Sequence, residues 1–198
     1  MTGKNILIVG VGGQGVVLAS NLLAEAALKA GFDVKKTDTL GMAQRGGSVV
    51  SHLRCANSVA SPLIPVGEAD LLIAFEKLEA ARWAHFLKPG GLAIVNDLAL
   101  PPLSVTLGSE SYPSDQELLS MLSGFSVNIK LIAGSTIAAK LGNPKMVNTV
   151  LLGYASTYVD IEAGIVRSTI EAGLPDKLRK INLAAFEKGR SLAEPQHQ

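Results

Sequence analysis

The stretch from Ile6 to Val16, ILIVGVGGQGV, constrains this chain more than any other. An apolar, β-branched run ends abruptly in glycines, and VVLASNLLAEAALKAG follows with apolar residues at three- and four-residue spacing. A strand buried on both faces, a glycine turn and a helix satisfy that order, with Gly31 as the helix C-terminal cap. Gly10, Gly12 and Gly15 match G-x-G-x-x-G, and Gly13 and Gln14 complete the turn. Glycines there permit a tight turn, bring backbone N–H groups up to an anion at the positive helix end and let the helix lie close to the sheet. Close packing alone is the competing explanation.

Strand and helix signals alternate through the first half of the chain. FDVKKTD and VVSHLRC read as strands on either side of the glycine-rich LGMAQRGGS. LLIAF is a buried strand, EKLEAARWAHFL a helix, and GLAIVND a strand after the breaker KPGG. Ser114 with Glu117 fits a capping box, FSVNIKLIAG is the last strand, and from Ser135 onward the text is helical. The expected class is α/β: a Rossmann-like, mostly parallel sheet with helices on both faces and a helical C-terminal segment. Ligands of such sheets lie beyond the carboxyl ends of the strands, near a switch in strand order. With 198 residues, 47% of them hydrophobic, the chain suits a single domain over 1–198 with a disordered tail from about residue 193.

Charge and cysteine content narrow the function. Eighteen basic against seventeen acidic residues, with no basic run, leave no footprint for nucleic acid or an anionic membrane. One cysteine, Cys55, excludes an internal disulfide and cannot supply the roughly four ligands of an iron–sulfur cluster. No apolar segment is long enough to span a bilayer and no cleavable leader is visible, so the expected location is the cytoplasm. A mean hydropathy of +0.31 points to a face buried against a partner.

The chemistry-bearing residues leave two readings open. A free-standing NAD(P)-binding oxidoreductase needs a carboxylate at the end of the second strand, and Asp38 stands near that place, while Arg45 could meet a 2′-phosphate. The other reading takes Arg45, Gly46 and Gly47 as a loop whose guanidinium grips a phosphate or carboxylate beside the glycine turn. A surface arginine in a turn is the plain alternative. His52 has no second histidine at metal spacing, and His85, beside Trp83 and Phe86, suits packing. Glu76 and Glu79 either face the ligand crevice or complement a helix dipole. No catalytic nucleophile, P-loop lysine or metal set is expected on this chain.

The blocks GVGGQGVVLASNLLAEAALKAG, GMAQRGGSVVSHLR, SPLIPVGEADLLIAFEKLEAAR and VNTVLLG together resemble the γ-subunit family of the 2-oxoacid (pyruvate, ketoisovalerate) ferredoxin oxidoreductases. Within it they are most similar to the β subunits of the indolepyruvate enzymes. The resemblance spans about Asn5 to Gly189. It implies a subunit of an enzyme that oxidatively decarboxylates a 2-oxoacid, passes electrons to ferredoxin and transfers the acyl group to coenzyme A. Thiamine diphosphate, magnesium and iron–sulfur clusters would then sit on partner chains. This chain would contribute to assembly and to coenzyme A access, through an anion contact at Gly10, Gly12, Gly13, Gln14, Gly15, Arg45, Gly46 and Gly47.

Overall fold

The computed structural model describes residues 3–40 and 47–193. Its strands are β1 (Lys4–Val11), β2 (Asp33–Leu40), β3 (Ser48–Ala56), β4 (Ala69–Ala74), β5 (Leu87–Asn96) and β6 (Asn128–Ile132). They form one sheet in the order β2-β3-β1-β4-β5-β6. The ladders β1–β4, β4–β5 and β5–β6 are parallel, whereas β3 runs antiparallel to both β1 and β2. Helices are α1 (Val16–Lys29), α2 (Lys77–Trp83), α3 (Leu103–Thr106), α4 (Asp115–Ser123), α5 (Gly134–Lys140), α6 (Val147–Ala155), α7 (Ala163–Gly173) and α8 (Asp176–Arg190).

The mostly parallel α/β sheet agrees with the sequence, and β1 shows why. Ile6 and Ile8 point to one face and join a core built with α1, α6, α7 and α8, while Leu7 and Val9 point to the other and join Ala80 and Ala84 under α2 and Leu122 of α4. All four strand residues are fully buried, as a strand covered on both sides requires. Helix α1 ends as expected: Gly31, at φ 90°, lets the Phe32 and Gly31 amides donate to Ala27 and Leu28. The Ser114–Glu117 capping box opens α4.

Two local features depart from the sequence reading. Strand β5 starts at Leu87 and runs through KPGG, because Gly90 at φ 77° lets the chain shift register against β4 and continue. The predicted helix at 76–87 unwinds after Trp83 into a 3-10 turn, Ala84–Phe86. The C-terminal segment is helical as expected, in α5 to α8, and all nine residues of α6 are buried.

The two sheet edges differ. Edge strand β2 carries two ion pairs, Lys35–Asp33 at 2.9 Å and Lys36–Asp38 at 2.6 Å. The opposite edge, β6, leaves Leu131 half exposed and follows Val127, which is 87% exposed.

Helices α6 and α8 touch backbone to backbone. A Cβ on Gly153 would lie 2.1 Å from the Phe186 carbonyl oxygen, and one on Gly189 would lie 2.0 Å from that of Val150. Neither obstacle is a side chain that can swing away. Gly153→Ala and Gly189→Ala should each lower unfolding free energy by about 3 kcal/mol in urea titrations, overpacking outweighing the helix propensity of alanine. Gly164→Ala, where a Cβ finds its nearest neighbour at 3.5 Å, should be neutral or stabilising by up to about 1 kcal/mol.

Candidate functional site

Strand β3 brings the two glycine motifs together. Because it runs antiparallel beside β1, its first residue pairs with the last of β1, Ser48 with Val11. Gly47, directly before β3, therefore lies next to the glycine turn, and the Gly12 amide donates to its carbonyl at 2.8 Å. Arg45 and Gly46 lie outside the described residues. Ser48 is fixed from below: its hydroxyl donates to the buried Glu79 carboxylate at 2.5 Å and accepts from the Trp83 indole N–H at 3.3 Å.

The turn's residues have distinct tasks. Gly13 (φ 103°) and Gly15 (φ 84°) occupy left-handed backbone conformations that disfavour side chains. Gly10 makes room: a Cβ there would meet Gln14 Oε1 at 2.8 Å and Val16 Cγ2 at 2.9 Å. Gln14 folds inward, accepting from the Val11 amide at 2.7 Å and donating through Nε2 to the Phe75 carbonyl at 3.1 Å. The expectation that Gln14 contacts a ligand thus meets a side chain already engaged at both ends. The Gly12 and Gln14 amides are also occupied, the latter by Val11 O at 3.1 Å. Helix α1 has neither a side-chain cap nor an acidic residue in its first turn, so its positive end is open to an anion.

A cleft of about 580 Å³ lies beside this end, within the usual size of a small-molecule site. It is lined by Gly13, Gly15 and Leu18 from the turn and α1, by Leu98 and Ser135, and by Lys145–Asn148 with Leu178 and Asn182 of α8. Its surface is mainly aliphatic, with Lys145 as its charged lining residue. A smaller cleft of about 330 Å³, bordered by Gly12, Val17 and Val49, lies across the turn, so Gly13 and Gly15 border both spaces.

A polar spine ties the strand ends under the larger cleft. The Phe75 carbonyl accepts from Gln14 Nε2 and also from Asn96 Nδ2, each at 3.1 Å. Asn96 Oδ1 accepts from the Ser135 amide at 3.1 Å and its Nδ2 reaches Ser135 Oγ at 2.9 Å. Sequence reasoning missed Asn96, Ser135, Lys145 and Asn148. The visible signal for Asn148 was a polar Asn–Thr pair inside the apolar run VNTVLLG.

Other candidates resolve structurally. Asp38 is separated from β1 by the whole of β3, about 10 Å across the sheet. Its carboxylate is held by Lys36 and by the Ser51 hydroxyl, each at 2.6 Å. It does not stand beside the glycine turn, where a ribose carboxylate belongs, and the dinucleotide reading loses its acid. Glu76 caps α2, accepting from the Glu79 amide at 2.8 Å, and is buried with the Tyr112 hydroxyl and the Leu100 amide on its other oxygen. Burial, then the Glu76 carboxylate, push the Tyr112 phenol above its ordinary range. Glu79 is buried between Ser48 and Arg82. Both acids fit the helix-terminal alternative, at the cap and first turn of α2, and neither lines the two clefts beside the glycine turn. His85 lies in the 3-10 turn, stacked near Trp83 and against Phe86. Among the described residues no group of three or more His, Cys, Asp or Glu side chains is placed to hold a metal ion, and no helix is long and apolar enough to cross a membrane.

Residues 5–192 match the family model described as pyruvate ferredoxin/flavodoxin oxidoreductase. The chain is 40% identical over 191 residues to indolepyruvate oxidoreductase subunit IorB of Archaeoglobus fulgidus, covering 96% of this chain and 94% of that protein. In structure it is similar to the γ subunit of a keto/oxoacid ferredoxin oxidoreductase from Geobacter sulfurreducens, with a TM-score of 0.69, 22% identity, and coverage of 96% and 98% of the two chains. It also superimposes on part of a 2-oxoglutarate:ferredoxin oxidoreductase from Magnetococcus marinus, solved with 2-oxoglutarate, coenzyme A and succinyl-CoA. There the TM-score is 0.74 at 20% identity, covering 98% of this chain and 31% of that one.

Two measurements test the site's supports. His52 is buried in β3, its Nδ1 accepts from the Ile64 amide at 3.2 Å, and burial lowers its pKa. The unfolded chain therefore takes up a proton first. Stability should be constant above the unfolded value of about 6.5 and fall as pH drops through it, and His52→Gln should remove that part of the slope in urea titrations between about pH 7 and 5. Gln14→Ala, which strips an acceptor from Val11 and a donor from Phe75, should cost about 1–3 kcal/mol.

Proposed function

The chain belongs to the pyruvate ferredoxin/flavodoxin oxidoreductase family, and from that premise we propose that it is the γ-type, non-cluster subunit of a 2-oxoacid:ferredoxin oxidoreductase. The proposed reaction is oxidative decarboxylation of an aryl pyruvate such as indolepyruvate to the acyl-CoA, with reduction of ferredoxin. The observation that carries this reading is end-to-end similarity to a protein named as an indolepyruvate oxidoreductase subunit, at 40% identity over 94% of that protein. A likeness of that extent concerns the whole module rather than a shared glycine turn.

The residues of this chain do not fit the redox cofactors of such a reaction. Its one cysteine, Cys55, is buried in β3 with its thiol against the Lys4 carbonyl, and four thiolates cannot be assembled from it. Thiamine diphosphate, magnesium and clusters therefore belong to partner subunits in this proposal, and ferredoxin meets the complex through them. What this chain supplies is a rigid module that works in the cytoplasm, with an anion-receptive helix end at Gly13–Gly15 beside an apolar cleft. The turn, with Arg45, Gly46 and Gly47 on the adjoining connection, serves coenzyme A access.

The free-standing NAD(P) oxidoreductase is disfavoured by one geometric fact, the insertion of β3 between β1 and the strand that carries Asp38.

Expressed alone, the chain should fold yet give no 2-oxoacid-dependent reduction of a viologen dye. Mixed with its thiamine-bearing partner, it should restore turnover with indolepyruvate, and it should co-purify with that partner from native cells. Turnover by the isolated chain, or a stable monomer that retains no thiamine-dependent protein, would overturn the subunit reading.

A further inference from the structure

Asn148, the second residue of α6, is 5% exposed and lines the larger cleft opposite the glycine turn. Its orientation is fixed from behind. Oδ1 accepts from the Thr149 amide at 2.8 Å; the Thr149 hydroxyl donates to Asn182 Oδ1 at 2.6 Å, and Asn182 Nδ2 donates to the Leu178 carbonyl at 2.8 Å. That chain of bonds leaves the other end of the Asn148 amide, Nδ2, facing the turn. A Cβ on Gly15 would sit 2.8 Å from it, a second reason beyond backbone conformation for glycine at that position.

Nδ2 has no acceptor among the described residues, yet no fully enclosed side-chain nitrogen or oxygen lacks a partner. The nitrogen is therefore open to the cleft. An open donor held in one orientation is free to bond an acceptor that enters the cleft. Beside it the amides at the start of α1 are also without a side-chain cap. Two sets of donors, one from a helix end and one from a carboxamide fixed from behind, thus border the same cleft where Asn148 meets Gly15. Around that point the wall is aliphatic, with Leu18, Leu98, Leu174 and Leu178, and the Lys145 ammonium stands at the rim.

We propose that Asn148 and the start of α1 form the head-group site for an organic anion, a phosphate or carboxylate held in the larger cleft beside the contact of Nδ2 with Gly15, with its apolar body along the leucine wall. The inference rests on the reading of the glycine turn as an anion contact and adds to it the residue that reads the ligand's oxygen. Lys145 contributes charge attraction from the rim, while Asn148 supplies the directional donor.

The test is a titration of the full chain, followed by nuclear magnetic resonance on the Asn148 side-chain amide and the Gly15 backbone amide. Three probes are used: coenzyme A for a phosphate head, phenylpyruvate for a carboxylate head, and inorganic phosphate. Coenzyme A or phenylpyruvate should shift both signals saturably, and which of them does so identifies the head group. Inorganic phosphate should bind at least tenfold more weakly. Asn148→Asp keeps the acceptor for Thr149 and replaces the donor with a carboxylate, so it should weaken binding at least tenfold. Lys145→Met, at an exposed position, should weaken it about threefold and carries the test should the buried substitution impair folding.

The proposal is overturned if neither organic anion shifts the Asn148 signals, if both variants bind as the parent does, or if inorganic phosphate binds equally well. Because binding is read on this chain alone, such a failure stands apart from the subunit reading, which is judged by co-purification and restored dye reduction.

Discussion

The carbonyl of Phe75 is the point on which the upper edge of this sheet depends. It accepts one side-chain amide from the β1–α1 turn and another from the end of β5, and the Phe75 amide donates to Val9 of β1 at 2.9 Å. Three parallel strands are tied where their ladders stop, in the place where an α/β sheet ordinarily opens into a crevice. In a dinucleotide-binding sheet that opening between adjacent strand ends receives the ligand. Here Gln14 spans it, and the accessible space is displaced to the side, between the start of α1 and the start of α6.

Much of the fold was legible because its signals are local. Apolar runs of five or six residues between glycines and prolines mark the parallel strands, and three- and four-residue spacing marks α1 and α8. The antiparallel direction of β3 was not legible, because VVSHLRC has the same composition whichever way it runs. Its pairing is decided by the short connection from β2, which returns the chain as a hairpin neighbour rather than across the sheet. The same event disqualifies Asp38: sequence distance from the turn was right and spatial distance was not.

The site was legible only as its glycines. Gly12, Gly13 and Gly15 stand where expected at a strand-to-helix turn, while the bracing bonds of Gln14 to Val11 and Phe75 were not legible, since a glutamine's reach within a tight turn is not encoded in spacing. Asn96 and Asn148 come from parts of the chain over 80 residues beyond the turn; Asn96 is linked to it through the Phe75 carbonyl at the strand ends, and Asn148 reaches it through the packing of α6. Buried acids such as Glu76 and Glu79 are equally invisible in sequence, because their acceptance in the interior depends on donors from Ser48, Leu100 and Tyr112 brought by three different segments.

The unequal sheet edges carry a consequence for the chain's behaviour at high concentration. Strand β2 shields its open side with paired charges, a common defence against strand-to-strand recruitment between molecules. Strand β6 has only Lys130 for that purpose, among Ile129, Leu131 and the nearby Val127 and Phe125. Colloidal stability is thus polarised: one rim of the molecule resists self-association, and the other is a template for it. Mild salting-out or overproduction would act first at the β6 rim, and an added charge at Val127, which packs against little, is the substitution that would raise solubility at the least cost to the fold.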